Sequence, residues 1–139
     1  MNILFFLTPK EDVAYINDDD NIRQVLEKMS FHRYSCIPVL SQDGKYSGSI
    51  TEGDLLWGLK GIGLLSVSDA EDYSIEILPR ERNYQPVTIE TNIEDLIDKA
   101  MNQTYVPVVD DQNYFIGIIT RRDIIQYCYK KMKSMEANK

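Results

Sequence analysis

The sequence predicts a mixed α/β (α+β) chain made of two β-α-β-β-α repeats related by a pseudo-twofold axis. Three observations lead to this. A short β-prone run with a proline occurs twice, as Ile37-Pro38-Val39-Leu40 and Val106-Pro107-Val108-Val109. Ten residues after each proline a glycine opens the same phrase, Gly48-Ser49-Ile50-Thr51-Glu52-Gly53-Asp54 and Gly117-Ile118-Ile119-Thr120-Arg121-Arg122-Asp123. An amphipathic helical pattern precedes each run, and the offset between the two copies is 69 residues from the proline onward.

The elements follow in order. The apolar start, Met1 to Leu7, is too short to span a bilayer and lacks the basic flank and cleavage site of a signal peptide, so it reads as a segment that docks on the fold or on a partner chain. Val13-Ala14-Tyr15-Ile16 and Pro86-Val87-Thr88-Ile89 read as matching strands. A helix near Asn21 to Met29 places Ile22, Val25, Leu26 and Met29 on one face, and one near Asn92 to Met101 does the same with Ile93, Leu96, Ile97 and Ala100. Asp20 or Asn21 and Thr91 or Asn92 are suitable N-caps. The hairpins turn at Asp43-Gly44 and Gln112-Asn113. A final helix in each copy begins after the threonine, with Leu55, Leu56 and Trp57 or Ile124 and Ile125. The first repeat with its docking segment thus covers residues 1–62, a linker 63–84 and the second repeat 85–139. The linker region carries Pro79-Arg80-Glu81-Arg82 and reads as one helix and one loop.

Composition narrows the function classes. The 139 residues are 43% hydrophobic and 27% charged, enough for two small units sharing a core and short for a multi-domain enzyme. The net charge is −7, with a pI near 4.7 and a mean hydropathy of −0.33. An acidic chain without a basic stripe is a poor surface for nucleic-acid polymers or anionic membranes, while a local basic pocket for a nucleotide stays open. Cys36 and Cys128 form no CxxC pair and there is one histidine, which disfavours a zinc cage and points to reduced thiols in the cytoplasm.

A strand ending in Thr before a helix places a hydroxyl and backbone N–H groups at the positive end of a helix dipole, which suits phosphate. An Asp three residues later caps that first turn or accepts hydrogen bonds from ribose hydroxyls. Thr51 with Asp54 and Thr120 with Asp123 fit either role. The copies differ next to the threonine. Glu52-Gly53 would repel phosphate, whereas Arg121-Arg122 offers forked donors to it.

The duplicated pattern resembles the CBS domain family. The resemblance implies a Bateman module, two repeats with two clefts where their sheets meet, that binds adenosine compounds such as AMP, ATP, S-adenosylmethionine or cyclic dinucleotides and regulates a partner. It also implies which residues line each cleft. The favoured site would join Val13, Ala14, Tyr34, Ser35, Cys36, Ile37 and Pro38 with Thr120, Arg121, Arg122 and Asp123. The second, weaker site would use Thr51, Asp54, Val87, Thr88, Tyr105, Val106 and Pro107. The Tyr34-Ser35-Cys36 turn with Thr120-Arg121-Arg122 is also similar to stand-alone bacterial members that bind cyclic di-AMP.

Other constellations carry less. His32 beside Arg33 has no nucleophile nearby to serve and reads with it as a surface pair or a phosphate-side contributor, Asp18-Asp19-Asp20 lacks the alternation of a calcium loop, and Gly58, Gly61 and Gly63 form no dinucleotide fingerprint. The expectation is therefore a sensor of adenine nucleotides (AMP, ADP, ATP or cyclic di-AMP) with no catalytic residue, metal or required cofactor. It would form a homodimer through the apolar faces of Leu55, Leu56, Trp57, Leu59, Ile124, Ile125 and Tyr127, and it would act on an unidentified protein target. The alternatives are a structural dimerisation unit with vestigial sites and an enzyme acting on a nucleotide.

Overall fold

A computed structural model describes residues 2–63, 68–80 and 84–138. The chain runs β1 (Thr8–Pro9), β2 (Ile16–Asn17), α1 (Ile22–His32), β3 (Cys36–Leu40), β4 (Tyr46–Thr51), α2 (Glu52–Ile62), β5 (Val87–Thr88), α3 (Ile93–Ala100), β6 (Tyr105–Val109), β7 (Phe115–Thr120) and α4 (Arg121–Ala137). One sheet has the order β2-β3-β4 and the other β1-β7-β6-β5. In each repeat a parallel pair (β2 with β3, β5 with β6) leads into an antiparallel hairpin.

Local chemistry explains the helix boundaries. Asn21 caps α1 in a full capping box, its side chain accepting from the Gln24 N–H while the Gln24 side chain accepts from the Asn21 N–H. Asn92 caps α3 by accepting from Asp95. The helices begin where the sequence places them, but α1 runs on to His32 and α3 stops at Ala100. Both hairpins carry a register shift at the same relative place, between Val39 and Leu40 and between Val108 and Val109. Gly48 and Gly117, both at positive φ, pair with the residue before each shift.

The pseudo-twofold axis is visible in contacts between equivalent residues. The Tyr46 N–H donates to the Asn113 carbonyl and the Phe115 N–H to the Gly44 carbonyl, each at 3.0 Å. The Tyr46 and Phe115 rings stack, and the Cys36 thiol donates to the Tyr105 hydroxyl, its partner 69 residues on. Such reciprocal pairing is what a twofold contact requires.

The core is divided in an unexpected way. One cluster lies under the first sheet and includes Ile16, Val25, Ile37, Val39, Ile50 and Leu55, completed by Ala70, Ile75 and Leu78 from the linker. The other includes Val87, Leu96, Val106, Ile119 and Ile124, completed by Ile3 with Phe6 and Leu7. Each repeat is thus closed by the segment that precedes the other one. The docking segment does settle on the fold, yet on the second repeat, where β1 pairs with β7. Among the described residues the linker holds short 3-10 turns, Ser68–Asp72 and Ile75–Ile77, in place of the expected helix. Its acidic residues lack a helical apolar face, and Ala70, Ile75 and Leu78 anchor it singly. Glu81 and Arg82 lie outside the described residues.

The pairing also corrects the alignment of the first strands. Ile16 sits opposite Val39 and Val87 opposite Val108, so Ile16 matches Val87 and not Ile89. The counterparts of Val13 and Ala14 are therefore Tyr84 and Gln85. Hydrogen bonding agrees. The Ala14 N–H donates to the Tyr34 hydroxyl at 3.5 Å, and the Gln85 N–H donates to Oε1 of Gln103, the counterpart of Tyr34, at 2.8 Å.

Candidate functional site

A cleft of about 330 Å³ opens where the first repeat's α1–β3 turn meets the second repeat's β7. Tyr34, Ser35, Cys36 and Pro38 line it from one side, Thr104, Tyr105, Ile118 and Thr120 from the other, and Thr8, Asp12 and Val13 from the N-terminal segment, with Arg33 on its rim. Both walls are placed by backbone bonds at matching positions. The Glu52 N–H donates to the Ser35 carbonyl and the Arg121 N–H to the Thr104 carbonyl, each at 2.9 Å, so each turn is tied to the start of its own repeat's last helix.

Six residues of the favoured set line this cleft, namely Val13, Tyr34, Ser35, Cys36, Pro38 and Thr120. Ala14 stands beside it through its bond to Tyr34, and Ile37 turns into the first core because strand neighbours alternate. Arg121 is placed differently from the sequence reading. Its Nε donates to the Ala100 carbonyl at 2.8 Å and the Gln103 carbonyl at 3.2 Å, and it lines the groove between α3 and α4. The free carbonyls at the end of α3 attract the guanidinium more closely than an open cleft does. Arg122 is exposed on the first turn of α4.

The two Asp motifs are not used alike. Asp54 is buried, its Oδ2 accepting from the Thr51 N–H while Thr51 Oγ1 accepts from the Asp54 N–H, each at 3.0 Å. That is a closed capping box. In the second copy Thr120 Oγ1 accepts from the Asp123 N–H at 3.2 Å, but the half-buried Asp123 carboxylate makes no return bond. Among the described residues no donor takes up that carboxylate.

The mirror cleft, about 370 Å³, is lined by Thr51, Gly53, Asp54, Trp57, Gly58, Pro79, Tyr84 and Asn102. Of the second predicted set only Thr51 and Asp54 reach it. Val87 and Val106 are in the second core, Thr88 is exposed, Pro107 is buried within β6, and Tyr105 faces the first cleft. The strand misalignment accounts for Val87 and Thr88, because Tyr84 holds the position that Val13 holds opposite.

A buried chain of hydroxyls separates the clefts. The Tyr46 hydroxyl donates to the Tyr84 carbonyl at 2.7 Å and shares a hydrogen bond with the Ser49 hydroxyl at 2.8 Å. The Tyr105 hydroxyl shares one with Ser49 at 2.5 Å and accepts from the Cys36 thiol at 3.7 Å. Burial pushes the Cys36 thiol up to about 11 and raises the Tyr46 and Tyr105 phenols as well. Cys36 therefore stays protonated at neutral pH and is a poor nucleophile. Among the described residues there is no group of three His, Cys, Asp or Glu side chains that could hold a metal.

Thr8, Asp12, Thr104 and Ile118 were not expected at the favoured cleft, and Arg33, read with His32 as a surface pair or a phosphate-side contributor, lines it. Thr104 and Ile118 could have been found by extending the repeat alignment to its partner wall, whereas Thr8 arrives only through the pairing of β1 with β7.

The comparisons with known proteins agree with this architecture. A crystal structure of CbpB in complex with c-di-AMP is similar with a TM-score of 0.83 and 25% identity, covering 100% of this chain and 91% of that one. The chloroplastic CBS domain-containing protein CBSX1 of Arabidopsis thaliana is 25% identical over 96% of this chain and 66% of its own length. Inosine-5'-monophosphate dehydrogenase of Methanocaldococcus jannaschii is 25% identical over 84% of this chain, which spans only 22% of that enzyme. The CBS domain itself matches twice, over residues 6–61 and 76–130, and with both repeats, their sheets and their shared cleft accounted for, the chain belongs to the CBS domain family.

Proposed function

We propose that this chain is a regulatory sensor that binds an adenine nucleotide, without catalysis, in the cleft between the Tyr34 turn and Thr120. The observation that carries the reading is the asymmetry of the Asp motifs. The Asp54 carboxylate is spent on its own capping box, while that of Asp123 is available to accept from ribose hydroxyls. Val13, Tyr34, Pro38 and Ile118 offer apolar surface to a base, and Ser35 with the backbone around Cys36 offers polar groups to its edge. The Thr120 hydroxyl and the first turn of α4 offer donors to the phosphate.

Candidate ligands are AMP, ADP, ATP and cyclic di-AMP, and the likeness to CbpB crystallised with c-di-AMP ranks cyclic di-AMP first. The mirror cleft takes a less charged ligand or none, because its Asp is engaged and Tyr84 occupies its wall. No helix among the described residues is long and apolar enough to cross a membrane, and the free cysteines fit a reducing cytoplasm.

Calorimetry with each of the four nucleotides tests the reading, paired with a long incubation to look for turnover. The expected result is saturable binding of at least one nucleotide, recovered unchanged. Absence of binding by all four sinks it and favours the structural alternative, a dimerisation unit. Exposed Leu56, Trp57, Ile125, Tyr129 and Met132 give that alternative its footing, and they support a homodimer in either case. Light scattering at micromolar concentration should return twice the chain mass.

A further inference from the structure

Among the described residues the favoured cleft is lined by one basic side chain, and it is not one of the arginines after Thr120. Arg33 lines the cleft where it meets the groove between α1 and α2, and among the described residues the only other charged lining residue is Asp12. Arg33 closes α1 in the left-handed conformation, with φ 58° and ψ 36°. That conformation suits Gly or Asn and crowds the Cβ of any other residue. Its side chain makes no hydrogen bond or ion pair among the described residues, while Arg121 is held by two carbonyls. The residue 69 positions on is Asn102, which lines the mirror cleft. A strained backbone therefore presents an unpartnered guanidinium at one cleft, and an uncharged amide stands at the other.

We infer that Arg33 is the phosphate-engaging residue of the favoured cleft, and that the Arg33/Asn102 difference at matching positions sets the two clefts apart in their pull on phosphate. The inference rests on the nucleotide reading above and names the residue that gives it selectivity. A guanidinium provides a planar fork of donors matched to phosphate oxygens, on a stem long enough to reach from the rim inward. A purely structural role is the competing account, since a cation at the C-terminal end of α1 also complements the helix dipole.

Stability and affinity separate the two accounts. Arg33→Gly and Arg33→Asn both relieve the left-handed strain. If the charge serves the ligand, these variants melt at the same or a higher temperature than the parent. They also bind whichever of the four nucleotides the parent binds at least ten-fold more weakly. Arg33→Lys, which keeps the charge and loses the fork, should fall between. Affinity within two-fold of the parent overturns the inference and leaves the nucleotide reading standing. A parallel fall in melting temperature and affinity overturns it too, because the residue then acts as a cap. If the parent binds none of AMP, ADP, ATP and cyclic di-AMP, both the reading and the inference fail.

Discussion

Cys36 ends a chain of hydrogen bonds that runs through Tyr105, Ser49 and Tyr46 to the Tyr84 carbonyl. Ser49→Ala breaks the chain in the middle and removes a hydrogen-bond partner from both the buried Tyr105 and Tyr46 hydroxyls. The expected loss of unfolding free energy is about 1–3 kcal/mol, measured by urea titration. Cys36→Ser keeps the terminal donor and should change stability by less. The same burial makes the fold sensitive to alkali. Cys36 rises from its ordinary 9.0 to about 11, and Tyr46 and Tyr105 rise above their ordinary 10.0. Between these values the unfolded chain has lost protons that the folded chain still holds. Stability is therefore complete below about pH 9 and falls as pH climbs toward 11. Urea midpoints at pH 7, 9 and 10.5 check this, and an unchanged midpoint at 10.5 would refute it. That Cys36 is a buried thiol was legible from its apolar neighbours. Its hydroxyl partners were not, because they come from two other strands, β4 and β6.

At the scale of elements, the strand that completes the second sheet depends on one glycine. Gly117 lies at φ +157°, and a Cβ there would stand 2.2 Å from the Thr8 carbonyl oxygen. Gly117→Ala should expel β1 and cost about 1–3 kcal/mol from backbone strain alone. Faster hydrogen exchange at Thr8 and Ile118 would report it. The repeat phrase opening on this glycine was plain in the sequence, along with both hairpins, the helix caps and the helix faces. These are local signals, carried by periods and caps within a few residues. The two-residue slip in matching β2 to β5 shows the limit of such signals. Short strands of two residues carry little pattern, and only their pairing with β3 and β6 fixed the register. Arg121 shows another limit, since its partners are carbonyls of a helix end 18 and 21 residues away.

At the scale of the molecule, each repeat is completed by the segment before its sibling, so neither is a closed unit. Ile3, fully buried in the second core, is the test. Ile3→Ala should lower stability by about 2–5 kcal/mol, and a single cooperative transition should persist because the repeats share their joint. Two separated transitions would show independent units instead. The sequence by itself determined the duplicated α/β architecture, the two clefts it implies and the threonine motifs at their edges. It could do so because repetition and helix or strand periodicity are written along the chain. Tertiary structure alone decided which side chains face each cleft. It turned Arg121 toward α3, left the Asp123 carboxylate open, set Tyr84 in the mirror wall and brought Arg33 to the rim. Those outcomes depend on which distant carbonyls, strands and cores compete for a side chain, and that competition exists only once the chain is folded.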